Sequence, residues 1–291
     1  MGGPLLKIAI VVAMVHALRA LGRRAGPRWG GLVLGLPCTS AVALVSCGLD
    51  RGPTVAQSMA EACLLGLAAA VALPLAFAAM VGRGISLSAS AATAVLAYLS
   101  VAAGLALLPI AGPWPRLALA TLAVLAACRL ARICEVEPPS PTPPRPPRPG
   151  RAVVLRSAVP AGILALVFAL RDAAGAGWAG LLGTFPGLSL TSLVVTHIEE
   201  GPAAASRMAR ALPQGNLSMV AFLAVFRLGG PALGLVAVTV LGYVAALAVL
   251  LVGELSGRRR RRVAPVAAIG RSARPARPAL RLSPRVEAIP R

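Results

Sequence analysis

Apolar residues in this chain fall into runs of about twenty, separated by short polar or Gly/Pro punctuation. The runs cover roughly residues 5–22, 30–49, 53–81, 85–109, 116–133, 152–170, 178–197, 205–226 and 231–253. A helix needs about twenty apolar residues to cross a hydrocarbon core about 30 Å thick, so each run is a candidate span. Between them stand Arg19–Arg28, Asp50-Arg-Gly-Pro53, Gly82-Arg-Gly84 and Gly112-Pro-Trp-Pro115. Pro53 suits the first turn of its helix, where a missing N–H has no partner to lose. The expected fold is an all-α polytopic membrane protein of about nine transmembrane helices.

Two stretches interrupt that rhythm. Residues 138–150, PPSPTPPRPPRPG, have a polyproline composition. At about 3.1 Å per residue such a segment reaches roughly 40 Å, enough to carry the chain across one face of a helical bundle. After the ninth run come Arg258–Arg262 and an Arg/Pro/Ala-rich tail to Arg291, with the composition of a disordered segment. The expected organisation is therefore a first membrane unit at 1–137, a linker at 138–151, a second unit at 152–256 and a disordered tail at 257–291.

The two units carry the same pattern. Trp29, Gly31, Pro37, Ser40, Gly52-Pro53, Met59 and Gly66 recur without a gap 149 positions later. Their counterparts are Trp178, Gly180, Pro186, Ser189, Gly201-Pro202, Met208 and Gly215. Agreement of a Trp, two Pro and several Gly at one offset points to internal duplication.

Charge orients the copies. The net charge of +20 comes almost entirely from arginine, Lys7 being the only lysine. Positive residues concentrate on cytoplasmic loops. Placing the N-terminus outside puts Arg19–Arg28, Arg83, the linker arginines and the whole tail inside, leaving Arg51, Arg116, Arg171 and Arg227 outside. The first run, with its charge after rather than before the apolar stretch, reads as a retained helix and not a signal peptide. This N-out, C-in arrangement makes the copies, five spans apart, an inverted-topology repeat, an architecture whose solute sites lie near the bilayer midplane.

Composition narrows the function classes. The chain is 57% hydrophobic and 13% charged, with a mean hydropathy of +0.81, far from a soluble domain. Only 3% of residues are aromatic, and the small residues that replace them let membrane helices approach closely. Nucleic acid is a poor partner, because the arginines border apolar runs instead of lining a folded basic face. The partners implied are the bilayer, anionic lipid at the Arg-rich tail and a small solute, and the sequence leaves a homo-oligomer open. The five cysteines and two histidines show no metal-ligand spacing, and no Asp/His/Cys cluster suits an enzyme, so no cofactor or metal is expected.

Candidate chemistry sits at the repeated prolines. Eleven residues separate Trp29 from Ser40, about 16 Å along a helix, which brings Pro37 near mid-membrane. A proline frees a carbonyl one turn back. Pro37, Thr39 and Ser40, with Pro186, Ser189, Thr191 and Ser192, form a candidate substrate-binding set, joined by Gln214 and Asn216 of the most polar run. The competing account is that Ser and Thr bond to their own helix backbone. Glu61, about 12 Å beyond Pro53, is costly unless paired. Its repeat equivalent Arg210 reaches a similar depth from the opposite face, so the two form a candidate intramembrane charge pair.

The W-x-G-L stretch, the mid-span proline followed by Ser/Thr and the acidic residue before Gly resemble GlpM-like small integral membrane proteins of bacteria. Those are about the size of one copy, so the chain resembles a fused tandem over 5–105 and 154–253, departing at Cys38 and at the fifth span. The resemblance implies a polytopic helical protein of the bacterial inner membrane and no established reaction. The paired plan is also similar, in architecture alone, to drug/metabolite-type exporters. The expectation is a secondary permease or exporter of a small solute; the alternative is a non-transporting membrane scaffold or accessory subunit.

Overall fold

The computed structural model describes residues 35–133 and 183–263, together with Ala13, Leu32, Gly180 and Leu181. The expected spans at 5–22 and 152–170, the proline-rich linker and most of the tail lie outside the described residues. Described structure is helical, without a strand. Its helices are α1 (Cys38–Arg51), α2 (Pro53–Ala70), α3 (Ala72–Gly82), α4 (Leu87–Leu107), α5 (Pro113–Ile133), α6 (Gly187–Glu200) and α7 (Pro202–Val263). α7 is interrupted at Gly234, whose φ of 72° is non-helical. Its two arms, Pro202–Gly229 and Ala232–Gly253, are α7a and α7b below.

Among the described residues, four helices are long and apolar enough to cross a membrane: Pro53–Gly82 (α2 and α3 together), α4, α7a and α7b. That is the build of a membrane protein. α5 is as long as α4 but carries Arg116, Arg129 and Arg132 and is not one of the four.

The backbone is the same at the two places that the 149-residue offset relates. Helix α1 starts after Pro37 (φ −75°, ψ 50°) and α6 after Pro186 (φ −81°, ψ 49°). Each helix has 14 residues. Each ends on a glycine at φ 90°, Gly52 or Gly201, whose N–H donates four residues back to Gly48 or His197. A Cβ resists this left-handed corner, and the proline that follows opens the next helix. Fourteen residues make about 21 Å, short of the roughly 30 Å core. The runs at 30–49 and 178–197 are therefore not continuous helices: each is broken at its proline.

Burial separates the spans into two kinds. From Ala62 to Ala70 every residue of α2 is buried, as expected of a helix surrounded on all sides. α1, α4 and α5 pack against it, α5 through Ala120, Val124, Ala127 and Ala131. α4 and α7b instead leave Leu96, Leu99, Val101, Val236, Val240, Val244 and Leu251 exposed, an apolar outer face that suits lipid.

The chain divides into two compact units, Met1–Gly253 and Glu254–Arg291. In the second, the described residues up to Val263 are helical. Of the tail expected to be disordered at 257–291, only Gly257–Val263 are described, and they are helical.

Candidate functional site

Each break lies against the middle of a central helix from the other half of the chain. A Cβ on Gly35 would overlap the backbone of α7a, lying 2.5 Å from Gly215 Cα and 2.7 Å from Asn216 N. A Cβ on Gly66 of α2 would overlap the Thr184 side chain and lie 2.5 Å from the Leu181 carbonyl oxygen. One on Gly180 would meet Met59 O at 2.5 Å and Ala62 Cβ at 2.7 Å. Only glycine permits main chains to meet this closely, which is the use membrane helices make of small residues.

Hydroxyl groups hold the carbonyls around the breaks. Ser40 Oγ donates to Gly183 O at 3.3 Å, from the first break to the second. Ser218 Oγ lies 2.7 Å from Gly215 O and 3.4 Å from Gly35 O. Tyr98 Oη donates to Leu181 O at 2.9 Å, while its ring meets Phe185 edge-on with centroids 5.0 Å apart. Tyr243 Oη reaches Pro37 O at 3.4 Å, and Thr184 Oγ1 bonds Leu181 O at 2.8 Å. Backbone polar groups buried at membrane depth need such partners, since no water supplies them.

The candidate residues are only partly gathered here. Pro37 and Ser40 are buried at the first break, Thr39 is half-buried beside them, and Asn216 meets the first break through its backbone. Pro186 starts α6, along which Ser189, Thr191 and Ser192 are buried. Thr191 Oγ1 donates to Gly187 O at 2.7 Å, the bond to its own helix that competed with a solute role. Gln214 is half-buried and points to the α7b side, where a Cβ on Gly253 would lie 3.3 Å from its Nε2.

At Glu61 the structure places cations other than the expected Arg210. Arg227 Nε donates to Glu61 Oε1, and Arg116 Nη1 lies 3.6 Å from Oε2. Among the described residues these are the cations at Glu61; Arg210 is half-buried elsewhere on α7a. The physical reason is lateral: Glu61 lies in the first third of the Pro53–Gly82 span and Arg227 near the end of α7a, so the partner comes from the far end of α7a and not from the equivalent position. Arg116 and Arg227 are also not loop residues, since both sit within helices.

Sequence reasoning passed over Tyr98, Tyr243, Ser218 and Thr184. A signal existed for the first two, which are the only tyrosines in the chain and stand inside Ala/Leu/Val helices. A phenol in such a helix needs a partner. Compared with protein-family models, curated proteins and solved structures, the chain matches none.

Proposed function

We propose that the protein is a secondary permease of the bacterial inner membrane, built from two inverted copies of a broken-helix unit, with about nine spans and the N-terminus outside. The observation that carries this reading is reciprocal contact. Gly35 meets Gly215 while Gly66 meets Thr184. The 149-residue offset exchanges one contact for the other, as a two-fold relation between copies requires. Inversion draws support from Glu61 and Arg227, which join the first third of the Pro53–Gly82 span to the end of α7a, its counterpart by the 149-residue offset. The motif resemblance to GlpM-like proteins, as a fused tandem, fits the same plan.

Broken helices at the interface of inverted copies are where carriers bind solutes. In this reading Ser40, Ser218, Tyr98 and Tyr243 close the breaks in the described state. Side-chain bonds between membrane helices are worth only about 0.6 kcal/mol on average, so rocking one copy against the other exchanges them at small cost. The carbonyls released, with Thr39, Ser189, Ser192 and Asn216, then meet the solute. A scaffold is the second reading, and one observation favours it: the break carbonyls already have protein partners.

The two readings separate in cells. Small-molecule pools compared with and without the protein identify the solute, and flux is then measured per unit of folded protein for Pro37→Ala, Pro186→Ala, Ser40→Ala and Ser189→Ala. The proline changes restore a backbone donor, so insertion survives while the break is straightened. A permease loses specific flux in variants of both halves. Unchanged specific flux in both proline variants sinks the transport reading and leaves the scaffold.

A further inference from the structure

We infer that Arg116 and Arg227, gathered by Glu61, form a binding site for a phosphate-type oxyanion. This assignment is independent of transport. Two guanidinium groups from α5 and α7a converge on one carboxylate of α2, leaving one net positive charge. A structural ion pair needs only one arginine, and a second, half-buried cation adds desolvation cost without a second carboxylate among its described partners. In a helical membrane protein such a charge faces a cavity or a ligand more often than nothing.

The geometry is open and partly preset. The Arg116, Arg227 and Glu61 side chains are 24%, 26% and 18% exposed, so the cluster is neither sealed nor in bulk solvent. Arg116 Nε donates to Ile110 O at 2.9 Å, which anchors that fork to the turn before α5. Among the described residues, Arg116 meets Glu61 through Nη1 and Arg227 meets it through Nε. The second Nη of Arg116 and both Nη groups of Arg227 carry no described bond. A planar carboxylate is served by one fork, whereas a tetrahedral oxyanion offers oxygens to donors from two. That difference selects a phosphate or phosphoester group.

The test uses the full chain in nanodiscs of phosphatidylcholine, with inorganic phosphate as probe and chloride at matched ionic strength as control. Phosphate, and not chloride, is expected to raise the melting temperature in a saturable way. Arg116→Gln and Arg227→Gln each leave Glu61 with one guanidinium, so they fold and lose about tenfold or more in phosphate affinity, as removal of a charge-assisted bond predicts. Glu61→Gln keeps an acceptor for both arginines and removes the competing charge, so affinity rises about tenfold or more. Arg210→Gln leaves it unchanged. A second set of discs containing phosphatidic acid separates the sources. If a lipid headgroup fills the site, these discs abolish the phosphate response of the wild type, with Arg116→Gln and Arg227→Gln removing the lipid's protection. If the natural ligand is soluble, the response persists. Absence of a phosphate-specific response in both wild type and Glu61→Gln overturns the assignment, as does a response indifferent to both arginine variants.

Discussion

The break at Pro37 and the break at Pro186 share their dihedral angles but not the way their polar groups are satisfied. At the first, position 35 is glycine, and the hydroxyls near its carbonyls come from α7: Ser218 at Gly35 O and Tyr243 at Pro37 O. At the second, the equivalent position is Thr184, which bonds Leu181 O within its own segment, with Tyr98 of α4 as a second donor. The first break thus depends on the other half, and the second partly closes itself. The backbone has one shape at the two places while the donors that stabilise it differ. Shape is what the Gly/Pro framework dictates, and donors are what the lining residues can vary.

Crowding at the crossings offers the strongest way to break this comparison. Gly35→Val and Gly66→Val force a side chain into main chain of the other half, which cannot rotate aside as a side chain would. Overpacking typically costs about 1–3 kcal/mol, and both changes belong at or beyond the upper end. Gly104→Val on α4 meets nothing within 4 Å and should be tolerated, even raising helix propensity. Unfolding by SDS in mixed micelles gives the three values. Equal tolerance of all three would remove the tight crossing from the description of either break.

The self-closing character of the second break yields the next effect in size. Leu181 O accepts from both Tyr98 and Thr184, so either Tyr98→Phe or Thr184→Val alone leaves it one donor. Each single change should cost about 0.6 kcal/mol. The double change strands a buried carbonyl, whose desolvation costs about 1–3 kcal/mol, so the sum should be exceeded by about 1 kcal/mol. The same mixed-micelle unfolding, arranged as a double-mutant cycle, measures the excess. Strict additivity would show that the carbonyl has another partner and that the two breaks do not differ in this way.

How far the sequence reveals these features depends on whether they are local. The corners at Gly52-Pro53 and Gly201-Pro202 were legible, because φ near 90° and a first-turn proline are consequences of single residues. So was a disturbance at Pro37 and Pro186, although 30–49 and 178–197 were read as spans and α1 and α6 are too short to be complete ones. Packing partners were not legible. Hydropathy reads the runs at 53–81 and 85–109 both as spans, yet α2 is buried all round from Ala62 to Ala70 and α4 is mostly exposed. The distinction lies in which neighbours surround a helix, and that is set by the whole bundle. Thr191 illustrates the same limit at one residue: its hydroxyl has a local partner in Gly187 O, and composition alone does not choose between that and a solute.

The smallest expected effect bears on the charge that the two halves treat differently. Glu61 of α2 and Arg210 of α7a are equivalent by the 149-residue offset, and depth counted along each helix made them plausible partners. Depth fixes only one coordinate, however, and the partner is chosen by the lateral arrangement. Glu61 lies with Arg227 and Arg116, whereas Arg210 is not among the described cations within 4 Å of its carboxylate. Arg210→Gln should therefore change stability by less than about 0.5 kcal/mol, the usual range for substitutions away from a network. Arg227→Gln should cost more, about 1 kcal/mol, because Arg116 still compensates Glu61. Crossing each with Glu61→Gln isolates the coupling: near zero for Arg210, and at least about 0.5 kcal/mol for Arg227. Coupling of Glu61 to Arg210 instead would restore the charge pair expected between positions related by the 149-residue offset and would remove Arg227 as the partner of Glu61.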